Sequence, residues 1–140
     1  MIQEFVDRFM SRRESLRAVF ARRHPESYKQ IVEMVIATIA KDEYGEDILD
    51  PSRIYEITDE AASVSDTLFV IVGDCFMGFW AVKIFYGSCE ECDILAGIRD
   101  YAEDEDKPSE EQVKDYMTLA LHIVQGLVAI GGEQITAQIL

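Results

Sequence analysis

Basic residues are scarce in this chain: 13 lysines and arginines stand against 27 aspartates and glutamates, for a formal charge of −14. Such a surface lacks the positive patch needed to displace counterions from phosphate, which argues against direct binding to nucleic acid or an anionic membrane. Cysteine is scarce too. Three cysteines are an odd number and too few for a disulfide framework, which fits a reducing, cytoplasmic setting. No uncharged apolar run is long enough to span a bilayer, and the opening Met1-Ile2-Gln3-Glu4-Phe5 lacks the basic start and apolar stretch of a secretion signal. Internal repeats and low-complexity tracts are missing, so residues 1–140 are expected to form a single domain.

The enzymatic templates are missing as well. There is no G-x-x-x-x-G-K-[ST], G-x-G-x-x-G, H-E-x-x-H or G-x-S-x-G, so ordinary catalysis has no visible seat and no cofactor is expected. The acidic stretches 42–50 and 100–106 lack the alternation, central glycine and final glutamate of a calcium-binding EF-hand loop.

What is present is 49% apolar residue content with helical and strand periodicities. Over residues 3–23 the apolar set Phe5, Phe9, Leu16, Val19 and Phe20 forms one helical stripe, with the arginines largely elsewhere. His24-Pro25 breaks that helix, and Pro25 suits the first position of a second one reaching about Glu43, ahead of Gly45. Three β-rich runs follow at residues 53–58, 67–72 and 79–86. The middle run, apolar throughout after Thr67, reads as a central strand covered on both faces. Ser88 opens an S-x-x-E capping box for a helix to about Ala102, and Ser109 an S-x-x-Q box for a last helix. Tyr116, Leu119, Ala120, Ile123, Val124, Leu127 and Val128 give that helix its apolar stripe, and Gly131-Gly132 ends it. The expected fold is α+β: a three-stranded antiparallel meander packed with about four helices, in the order α-α-β-β-β-α-α.

The motif-like feature is Cys89-Glu90-Glu91-Cys92, at the start of a predicted helix, where a helix N-terminus favours a thiolate. A thioredoxin fold needs further strands and a cis-proline loop beyond its active-site helix, and the remaining chain reads as helix. Glu90, Glu91 and Asp93 also oppose thiolate formation. As a zinc site the pair supplies two of four ligands; Cys75, in the preceding connection, is a third candidate. Packing cysteines, a reactive pair of Cys89 and Cys92, and a metal site remain open alternatives. The histidines add little, since His24 precedes a proline and His122 falls on the polar face of the last helix beside Glu111, Asp115 and Thr118. Phe76, Phe79, Trp80, Phe85 and Tyr86 form an aromatic cluster whose alternation sends side chains to both sheet faces, each expected to pack against helices.

Charge is unevenly spread: residues 1–30 carry +3, which leaves −17 on the remainder. That asymmetry favours a non-enzymatic acidic module meeting a protein partner with a basic surface, through carboxylates around 42–60 and 100–115. Asp100, Glu103, Asp104, Glu105 and Asp106 are the chief candidates. The basic first helix lying on the acidic surface of a second copy makes a homodimer electrostatically reasonable. Finally, the segment Tyr86-Gly87-Ser88-Cys89-Glu90-Glu91-Cys92-Asp93-Ile94-Leu95, a Y-G-S-C-x-x-C-D-x-L pattern, with residues 115–122 downstream, resembles a family of uncharacterised phage and mobile-element proteins. The resemblance implies a viral or prophage origin, transfers no functional residue, and brings to mind small acidic phage inhibitors of host nucleic-acid-binding proteins.

Overall fold

The computed structural model describes residues 2–61, 64–73, 78–87, 95, 98 and 107–130. Among them lie four helices, α1 (Ile2–Ser11), α2 (Arg13–Arg22), α3 (Tyr28–Ile39) and α4 (Glu110–Gln125). Four strands, β1 (Leu49–Ala61), β2 (Val64–Gly73), β3 (Phe79–Gly87) and β4 (Val128–Ala129), form one antiparallel sheet in the order β1-β2-β3-β4. The α+β class and the meander of the first three strands agree with the sequence pattern; the helix order and the fourth strand do not.

The first helix is two. Ser11 Oγ donates to the Arg8 carbonyl at 3.1 Å, and Arg12 adopts φ −115° and ψ 14° between the two segments. A hydroxyl competing for the backbone ladder bends a helix at such a point. Phe5, Phe9, Leu16 and Phe20 stay buried across the break, so the apolar spacing carries no trace of it. The next helix starts later than Pro25, because Ser27 Oγ accepts from the Gln30 N–H as its N-cap. It stops at Ile39 rather than near Glu43.

Alternation divides the sheet cleanly. Ile54, Ile71, Trp80 and Ala129 sit side by side across the four strands, with Phe69 beside Val82 and Thr67 beside Ile84 in the adjoining rows. This face joins Phe5, Ile36, Tyr116 and Val124 in the core, and Phe5 meets Trp80 edge-on at 4.8 Å. Most of the stretch expected to supply the third helix lies outside the described residues, and among these the opposite face is only partly covered. Val72 and Ala81 are buried there, whereas Tyr55, Ile57, Phe79 and Val128 are exposed. The described helices contribute their apolar stripes to the first face.

The last helix begins as read, with the complete Ser109–Gln112 capping box in place. It ends early, at Gln125, with Gly126 as C-cap. A Cβ on Gly126 would meet Val82 Cγ2 at 3.3 Å, so the absent side chain lets the helix end lie close against β3. Leu127 then turns into the core, and Val128 and Ala129 pair with Ala81 and Trp80 instead of extending the helix. Leu95 and Ile98 are helical and buried, within the stretch expected to be the third helix. No helix among the described residues is long and apolar enough to cross a membrane.

Candidate interaction surface

The segment following α3 carries most of the described acidic surface that the sequence singles out. Helix α3 has no basic residue in its last turn, so its C-terminal carbonyls need partners from elsewhere. Ile36 O and Ile39 O find theirs differently, and the carbonyls just past the helix are held as well. Ala40 N–H donates to Ile36 O, and Ile48 N–H to Ala40 O at 2.8 Å. The guanidinium of Arg12 donates to Ile39 O at 3.1 Å and to Asp42 O at 3.3 Å, and Arg8 donates to Lys41 O. Arg12 thus caps the end of α3, and Arg8 ties down the chain just beyond it. Sequence reasoning assigned them to the outer surface of the first helix and missed this role.

Residues 42–47 close on themselves above that cap. Asp42 N–H donates to Glu46 O and Gly45 N–H to Asp42 O, at 2.9 and 3.1 Å. The Asp42 carboxylate accepts from the N–H groups of Tyr44 and Glu46, at 2.8 and 2.9 Å. Lys41 Nζ pairs with Asp47 at 2.8 Å, and Gly45 takes a φ of +81°. Glu43, Tyr44 and Glu46 are exposed, Tyr44 at 82%. The result is an acidic turn of fixed shape with an aromatic ring on its outside.

Downstream, Asp50 accepts from both the hydroxyl and the N–H of Ser52, at 2.6 and 2.9 Å. The hydroxyl bond, then the N–H bond, hold its carboxyl below the ordinary aspartate value, with Arg53 adding a smaller pull.

On α4, Glu110, Glu111, Asp115, Thr118 and His122 are exposed, as a solvated helix face should be. The other histidine is not idle: His24 Nδ1 lies 2.6 Å from Tyr116 Oη, joining the α2–α3 connection to α4. The Tyr116 spacing announces a core position, but nothing in sequence announces its partner. Trp80 is core and Phe79 is half-exposed, so the aromatic cluster is split by the pleat.

The remaining sequence candidates, Cys75, Cys89, Cys92, Asp100, Glu103, Asp104, Glu105 and Asp106, lie outside the described residues, as do Phe76 and the Gly131-Gly132 pair. Among the described residues no group of three or more histidines, cysteines, aspartates or glutamates could hold a metal ion. A shallow groove of about 470 Å³ between α2, α3 and the start of β1 is lined by Val19, Met34, Ala37 and Pro51, with Glu33, Thr38 and Ser52 as its polar members. Its Ser52 hydroxyl is hydrogen-bonded to Asp50, a carboxylate whose lowered pKa makes it a poor base. No family model, curated protein or solved structure matches the chain.

Proposed function

We propose that the protein is a non-enzymatic acidic interaction module that binds a basic protein surface. The observation behind this reading is the 42–47 turn, where Tyr44 stands between Glu43 and Glu46 on a backbone held by Asp42. An exposed tyrosine can supply an interface anchor, and flanking carboxylates can pair with lysine or arginine of the partner. A turn already hydrogen-bonded into shape gives up little conformational freedom on binding. Glu110, Glu111 and Asp115 are further exposed carboxylates, and Asp100, Glu103, Asp104, Glu105 and Asp106 are proposed as contributors from the sequence. The setting proposed is cytoplasmic, with a phage or mobile-element origin taken from the resemblance over residues 86–95.

The test is binding to an array of Lys- and Arg-rich peptides, read at low and high salt. Binding should weaken as salt rises. It should also weaken in Tyr44→Ala, in Glu43→Gln with Glu46→Gln, and in a variant with residues 100 and 103–106 neutralised. Binding indifferent to salt and to all three variants would remove the proposal.

A further inference from the structure

We propose that β1 is a dimerisation edge: two copies pair β1 with β1, antiparallel, about a twofold axis at Glu56, and join two four-stranded sheets into one. This stands apart from the acidic turn and concerns a different surface.

Strand β1 is 13 residues long and outermost in the sheet; the other edge, β4, has two residues. Among the described residues β1 pairs with β2 alone, so its outer side presents a row of backbone donors and acceptors. Its beginning is unsuited to pairing, because Pro51 lacks an N–H and the register with β2 shifts between Leu49 and Ile54. The regular stretch starts after that shift. Within it Tyr55 is 56% exposed and Ile57 57%, both on the partly covered face.

A second copy is the occupant favoured by the sequence of this stretch, Arg53-Ile54-Tyr55-Glu56-Ile57-Thr58-Asp59, which is complementary to itself. Twofold pairing within one sheet requires opposed residues to share a face, so the axis must pass through a residue. With the axis at Glu56, Tyr55 meets Ile57 of the other copy twice. Ile54 meets Thr58 twice, and Arg53 comes opposite position 59, an aspartate, twice. Aromatic with β-branched and basic with acidic are the favourable cross-strand combinations. An axis at Tyr55 sets Arg53 against Ile57, and one at Ile57 sets Tyr55 against Asp59. One unfavourable pair remains on the axis, Glu56 against Glu56, and it makes the dimer weak and easily tuned.

Sedimentation equilibrium over a concentration series tests this, with the full chain. Wild type should show a monomer–dimer equilibrium at micromolar protein. Glu56→Gln should tighten it by about two- to fivefold by removing like charges. Ile57→Lys should weaken it by about tenfold or more. Ile57 is more than half exposed, so that variant should fold, with circular dichroism as the check; Tyr55→Glu serves if it does not. Under mild oxidation Glu56→Cys should give a 56–56 disulfide peptide by mass mapping, which separates this linkage from any at the natural cysteines. A chain that stays monomeric to about 1 mM overturns the proposal. So does a dimer indifferent to both edge variants, or one yielding no 56–56 peptide.

Discussion

Arg12 donates to the carbonyl of Ile39, 27 residues further along the chain, at 3.1 Å. The same residue is the N-cap of α2, so the break between α1 and α2 and the end of α3 meet at one side chain. Removing it takes a donor from the last carbonyl of α3 and another from Asp42 O in the turn beyond. Arg12→Ala should lower unfolding stability by about 1.5–3 kcal/mol, the range of a charge-assisted hydrogen bond, in a urea titration. Arg17→Ala is the control. Its guanidinium is 3.9 Å from Glu14 on the exposed surface, and its loss should cost less than about 0.5 kcal/mol.

Gly45 is tested by its backbone rather than its surroundings. An added Cβ would meet nothing within 4 Å, yet φ is +81°. Gly45→Ala should therefore cost about 1 kcal/mol in the same titration, from the left-handed conformation alone, and Gly45→Asn less.

Ser109 accepts from Gln112 N–H at 3.2 Å, while Gln112 Oε1 accepts from Ser109 N–H at 2.8 Å. Ser109→Ala should destabilise by about 1 kcal/mol in thermal or urea unfolding. Gln112 also donates to Ile98 O at 3.1 Å, so Gln112→Ala should cost more than Ser109→Ala.

Asp50 has a depressed carboxyl pKa because it accepts two hydrogen bonds from Ser52. A depressed acid contributes stability above its unfolded pKa and loses it as pH falls through the folded value. In an NMR titration Asp50 should therefore protonate below the ordinary aspartate range. Ser52→Ala should move it upward while retaining part of the depression, since the N–H bond remains.

These sites differ in how plainly they could be read from residues. The α4 start was legible because Ser109 and Gln112 satisfy one another three positions apart, a wholly local arrangement. The first three strands were legible in place and order, though each proved longer than its β-branched stretch, because pairing extends a strand past its apolar residues. The α1–α2 break was not legible, since Phe9 and Leu16 keep helical phase through it. Strand β4 was hidden because Val128 continues the apolar stripe of α4, and only the approach of Gly126 to Val82 turns the chain toward β3. Of the acidic candidates, the segment from Tyr44 was visible as charged and turn-rich, but Asp42 and Glu43 read as the end of a helix, because the fixing of the turn by Asp42 depends on carboxylate geometry that composition does not encode.

The arginine cap beneath the acidic turn also bears on distance. Arg12 and Arg8, the latter also paired with Glu4, lie at its base, and Lys41 pairs with Asp47 at its edge, against the outward carboxylates of Glu43 and Glu46. Positive charge inside and negative charge outside make a double layer, whose field decays faster than that of bare carboxylates. The chain's overall charge can draw a cationic partner from afar, whereas the turn itself acts at touching range. It would thus decide how tightly a partner is held more than how soon it arrives.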